Sequence, residues 1–159
     1  MKIWNMTRWQ DYYNHRMFRS GLRMRYDVEV NEDGRRSVSV FVFWLRKEYT
    51  FPKRVCVYVK ADRRIKSMKG DMVCGTFFRP ADRDREPYIR IATGDYVELL
   101  AKWDRDNALA AILSTLAHEL THYFQWLNDL DLTLIGEERQ ATCYARQILS
   151  DYAQTRDHP

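Results

Sequence analysis

His118, Glu119 and His122 stand within Thr115 to Trp126, TLAHELTHYFQW, and spell H-E-x-x-H. On a helix, residues four apart sit one turn above each other, so both imidazoles project from the same face. Two neutral imidazoles at that spacing can each give a nitrogen to one Zn2+ at about 2.0–2.1 Å. Glu119 lies one residue round the helix. There its carboxylate can reach water beside the metal without joining the ligands, the position a general base needs. With only 4 His among 159 residues, random placement gives this triplet in roughly 0.005 of such chains.

A catalytic zinc needs a third protein ligand. The loop NDLDLTLIG, closed by Gly136, leads to a second helix predicted over Glu137 to Asp151. Glu138 falls in its first turn, where a carboxylate suits the positive end of the macrodipole. Glu137 is the alternative. Small Ala141 and Ala145, with Tyr144, Ile148 and Leu149 alongside, would let the two helices approach closely.

H-E-x-x-H followed by E-x-x-A-x-x-(F/Y)-A-x-x-(I/L)-L resembles the ImmA/IrrE-type metallopeptidases, a compact branch of the gluzincin zinc peptidases. The resemblance covers about the last third of the chain. It implies a zincin-like fold, one zinc held by His118, His122 and Glu138, and Glu119 as catalytic base; the A-x-x-(F/Y)-A frame puts Glu138 ahead of Glu137. It also implies a protein or peptide substrate added as a strand beside the metal helix. Tyr88 to Thr93 is the candidate edge for it. For the oxyanion, Tyr123, Tyr144, Tyr152 and His158 are all open candidates. His15 reads as a surface residue.

The elements that must position these groups follow from periodicity. Asn107 to Leu127 lacks Gly and Pro and repeats apolar residues at helical spacing, with Asp104 or Asp106 to cap its start and Asn128-Asp129 to end it. Upstream, the pattern predicts a short helix near Thr7 to Phe18 and a strand over Arg25 to Val30. Asn31 to Gly34 reads as a turn. Strands are expected over Ser37 to Leu45 (SVSVFVFWL), Arg54 to Lys60, Asp71 to Arg79 and Tyr88 to Thr93. Lys60 to Gly70 reads as a loop or short helix, and Tyr96 to Trp103 as a helix. The order predicts an α+β fold with an antiparallel or mixed sheet of about four or five strands, packed on the metal helix and the C-terminal helix. One domain, residues 1–159, is expected, strand-rich over 25–93 and helical over 95–154.

Composition bounds the rest. Hydrophobic residues make up 45% and aromatics 14%, which fits a globular chain of this length. A mean hydropathy of −0.59 without a long apolar run argues against a membrane span. The start MKIWNMTRWQDYY has no signal-like apolar segment, so a cytoplasmic location is expected. Cys56, Cys74 and Cys143 form no C-x-x-C pair and are expected to be reduced, mostly buried thiols. Basic residues cluster at Arg8 to Arg25 and at Lys53 to Lys69, within a net charge of +4. With no nucleic-acid motif beside them, they read as solvated faces, and nucleic acid is not the expected partner. The function expected is that of a zinc endopeptidase, with a toxin-like role for the same chemistry also open. The alternative is a non-catalytic binding module, for protein or nucleic acid, with a vestigial or structural metal.

Overall fold

The computed structural model of the chain describes residues 3–13 and 19–155. Its order is β1 (Leu22–Tyr26), α1 (Glu32–Glu48), β2 (Val55–Lys60), β3 (Ile65–Lys66), β4 (Met72–Val73), β5 (Gly75–Phe78), β6 (Tyr88–Ala92), α2 (Tyr96–Lys102), α3 (Arg105–Leu127) and α4 (Leu134–Ala153). Two 3-10 turns, Ile3–Asn5 and Arg8–Asp11, precede β1; the second is what stands in place of the expected Thr7 to Phe18 helix, whose far end lies outside the described residues.

The largest departure from expectation is SVSVFVFWL, which is helix rather than strand. Asn31 is an N-cap, not a turn residue: its side chain accepts from the Asp33 N–H at 2.9 Å. Glu32 and Asp33 fall in the first turn and Arg46 and Lys47 in the last, each matched to the macrodipole. Gly34, Ser37, Val38, Phe41, Val42 and Leu45 are buried, spaced three and four apart. That helical stripe wins over the local β preference of Val and Phe, because burial of one whole face outweighs intrinsic propensity. The helix is the crossover between β1 and β2, which pair in parallel and need such a connection.

The main sheet is mixed, in the order β1-β2-β6-β5. β2 pairs with β6 in parallel, and β5 lies antiparallel on β6. Strand Tyr88 to Ala92 is therefore interior, flanked on both sides, and the edge beside the helices is β5. The Lys60 to Gly70 stretch holds β3, which forms a small antiparallel hairpin with β4. Val55, Val57, Val59, Ile89 and Ile91 are buried in one core with Phe41 and Leu45 of α1 and Leu116 and Leu120 of α3. The chain is thus an α+β domain with helices packed on one face of a mixed four-stranded sheet. None of its described helices is long and apolar enough to cross a membrane.

α3 begins where expected: Asp104 caps it through the Asn107 N–H at 2.8 Å, and Asn128 ends it. It is buried along most of its last four turns, packed on β5, β6, α1 and α4. α4 starts three residues earlier than expected, at Leu134, because Thr133 rather than Gly136 marks the boundary. The Thr133 hydroxyl caps the Gly136 N–H at 3.0 Å. Ala141 and Ala145 are buried against the core, as close helix contact requires.

The three thiols are free, and two of them are exposed, against expectation. Cys74 sits in the bend between β4 and β5. Cys143 falls on α4 between buried Ala141 and Ala145, off the stripe that Glu137, Ala141, Ala145, Ile148 and Tyr152 turn inward. Cys56, half-buried, points to the sheet face opposite the helices.

Candidate metal centre

α3 turns His118 and His122 towards α4, and Glu138 of α4 meets both. His118 Nε2 lies 3.1 Å from Glu138 Oε2, and His122 Nε2 lies 3.0 Å from Glu138 Oε1. The rings sit edge to face with centroids 4.9 Å apart. One ligand atom from each of the three side chains lies within 4.8 Å of the others, so the group could hold a metal ion. Donors about 2.0–2.1 Å from a tetrahedral ion sit about 3.3–3.4 Å apart; the two His–Glu138 distances, one to each carboxylate oxygen, come near that value. Burial is asymmetric: the His122 side chain is 8% exposed and the Glu138 side chain 64%, which leaves the group open on one side.

Gln125, which the sequence did not single out, fixes the chemistry of His122. Its amide N–H groups donate to Glu137 O at 3.0 Å and to Gln140 Oε1 at 2.9 Å. Both donors are spent, so Gln125 Oε1 must accept, and His122 Nδ1 at 2.8 Å carries the hydrogen. A neutral His122 then presents its Nε2 lone pair to a carboxylate oxygen 3.0 Å away. Two lone pairs repel at that distance unless a proton or a cation lies between them. The donor set therefore fits a cation, with Gln125 orienting the ring as an outer partner does in metal sites. The signal was present in sequence as Gln125 one turn beyond His122.

Glu137, the rival ligand, is occupied elsewhere. Its two oxygens accept from Arg79 Nη1 and Nη2 at 3.0 and 3.1 Å, a two-pronged pair that turns it away from the histidines.

Glu119 is buried beside the group. Desolvation, helped by the charge of Glu138, pushes its pKa up to about 8 in the metal-free protein. Burial also holds His118 below the ordinary imidazole range, with His122 adding to the effect and Glu138 opposing it. Gly75 of β5 makes room for Glu119. A Cβ at residue 75 would lie 2.8 Å from Thr115 Cγ2 and 3.0 Å from Glu119 Cγ, so only glycine lets the edge strand run this close to α3.

A cleft of ≈ 400 Å³ opens over Glu119, His122 and Glu138, walled by β5, by Ser67, Met68 and Lys69 of the hairpin, and by Leu134 and Glu137 of α4. A wider depression of ≈ 640 Å³ on the outside of α4 touches Glu138 but neither histidine.

None of the three tyrosines offered for the oxyanion points into the cleft. Tyr123 is fully buried, donating to Lys53 O at 2.5 Å and accepting from the Lys53 N–H at 3.2 Å. Tyr152 is locked among Phe41 and Trp44, and Tyr144 packs on the core. Besides His122, the cleft-lining side chains able to donate a hydrogen bond are Ser67, Lys69, Thr76 and Arg79. His158 and His15 lie outside the described residues. Comparison with protein-family models, characterised proteins and solved structures finds no match.

Proposed function

We propose that the protein is a zinc-dependent endopeptidase acting on one or a few protein targets, with His118, His122 and Glu138 as zinc ligands and Glu119 as general base. The observation that carries this reading is the facing pair of His122 Nε2 and Glu138 Oε1, with the ring tautomer set by Gln125. Zinc bound there supplies Lewis acidity and brings the pKa of water towards about 7. The choice of zinc follows from the mixed nitrogen and oxygen donors, the set of three and the open fourth side.

Glu119 takes the proton of the attacking water and delivers it to the leaving amine. The raised pKa belongs to the metal-free protein; a dication beside the carboxylate would lower it, leaving Glu119 ionised and able to take the proton near neutrality. Burial keeps bulk water off the carboxylate, so its proton goes to the reacting atoms. β5 holds the substrate: its outer side is an edge, and main-chain pairing of an extended peptide along Gly75 to Phe78 would draw the scissile bond past Glu119. This role passes to β5 from Tyr88 to Thr93, which is enclosed by β2 and β5. Lys69 or Arg79 is the donor available to the oxyanion.

Elemental analysis of the purified chain should find one zinc per molecule, and a peptide library should be cut. Glu119→Gln should keep the zinc and lose the cutting. Cleavage undiminished in that variant, or a protein that takes up no zinc, would sink the reading and leave a binding module.

A further inference from the structure

The face of the sheet turned away from the helices is chemically unlike the rest of the surface. Alternation along the strands sends valines and isoleucines inward and sets Arg23 and Arg25 of β1, Tyr58 of β2, Tyr88 of β6 and Phe78 of β5 outward. Three aromatic rings form a continuous array across three strands. Tyr88 stacks on Phe78 with centroids 4.9 Å apart, and Tyr58 meets Tyr88 edge to face at 6.0 Å. Arginines stand beside the array. Arg25 is the register partner of Tyr58, with Arg23 two residues before it, and the Arg85 guanidinium, from the loop joining β5 to β6, lies 5.5 Å over the Phe78 ring. No outward-facing strand position carries a carboxylate.

We propose that this face binds single-stranded nucleic acid. Phosphates are met by Arg23, Arg25 and Arg85, and bases are met by Tyr58 and by the Tyr88–Phe78 pair. The combination selects the occupant. A second copy of the chain would bring arginine against arginine. An acidic peptide would satisfy the guanidinium groups but leave the rings without planar partners. A duplex keeps its bases stacked inside, out of reach of a shallow face. Unpaired bases and a phosphate backbone use both sets of groups at once. Three strand spacings span about 14 Å, room for the two or three bases that such sheets stack. The basic residues that read as solvated in sequence are gathered by β1 onto one side of an aromatic array, which the linear order does not reveal.

None of the rings or arginines named for this face lines the metal cleft. Fluorescence anisotropy on the full chain with labelled 15-residue oligo-dT and oligo-U, at two salt concentrations, tests it. Saturable binding of either strand is expected, weakening with salt at a log–log slope of about −2 for three phosphate contacts. Tyr58→Ala should weaken it roughly 5- to 100-fold, while Tyr58→Phe, which keeps the ring, should bind as wild type. Arg23→Glu with Arg25→Glu should weaken binding and flatten the salt slope. Arg25→Glu alone should also weaken binding, whereas Lys102→Glu on α2, the same charge change as that single variant, should leave affinity within about twofold, and so should Glu119→Gln. Absence of saturable binding overturns the proposal. So does a loss in Lys102→Glu equal to that in Arg25→Glu, or competition by duplex or polyglutamate as strong as by the single strand.

Discussion

His122 Nδ1 and Gln125 Oε1 lie 2.8 Å apart, and this one hydrogen bond decides which ring nitrogen is free for a metal. Removing it leaves the ring able to take either tautomer. Gln125→Ala should therefore weaken zinc binding about 10- to 100-fold, read by competition with a chromophoric chelator. The fold should persist with reduced stability, since Glu137 O and Gln140 Oε1 also lose a donor.

Glu137 and Glu138 are neighbours in sequence with opposite assignments. Glu138→Gln should abolish stoichiometric zinc, whereas Glu137→Gln should retain it. Arg79→Ala leaves the buried Glu137 carboxylate unpaired and should lower stability by about 1–2 kcal/mol in a thermal or denaturant melt. Loss of zinc on changing Glu137 but not Glu138 would reverse the ligand set.

Gly75 is held to its size by α3. Gly75→Ala places a methyl 2.8 Å from Thr115 Cγ2 and should destabilise by about 1–3 kcal/mol. Thr115→Ser removes the methyl and keeps the hydroxyl that bonds Ala111 O at 3.1 Å. Combined with Gly75→Ala it should recover part of the loss, so a double-mutant cycle should be non-additive. Additive effects would mean the strand and helix do not touch there.

Burial of Glu119 makes a statement about pH. In the metal-free fold its carboxyl keeps a proton to about pH 8, whereas the unfolded group releases it near 4.5. Its contribution to stability is fully present below about 4.5, declines as pH rises and is gone above about 8. The total is on the order of 5 kcal/mol. His118, held low, works in the opposite direction near its own titration. The comparison that isolates Glu119 is therefore wild type against Glu119→Gln, without metal, across pH 4.5 to 9: the advantage of the variant should grow as pH rises. Parallel curves would refute it.

The cluster of His118, His122 and Glu138 that could hold a metal was legible in sequence because the histidine pair is local. Helical geometry brings residues four apart onto one side whatever the rest of the chain does, and the frame of small residues after Glu138 set the register of the partner helix. α3 was readable from Asp104 to Asn128 for the same reason. What failed depended on distant context. SVSVFVFWL has the composition of a strand, and only its burial against β1 and α3 makes the spacing of Gly34, Ser37, Phe41 and Leu45 decisive. Which strand forms the edge depends on pairing order, which β5 changes by folding back antiparallel after β4. Arg79 acts through side-chain geometry that no local pattern encodes. Gly75 did leave a trace, as a glycine inside an otherwise strand-like run.

β5 is a partition a single chain thick. Gly75 and Phe77 face α3, while Thr76 and Phe78 face outward, so the two surfaces share one short alternating segment. Inserting or deleting one residue there would exchange the two sets, driving Phe78 against the metal helix and stripping the aromatic array of its outer ring. The length of that segment is consequently fixed twice over, and neither surface can drift by a frame without ruining the other.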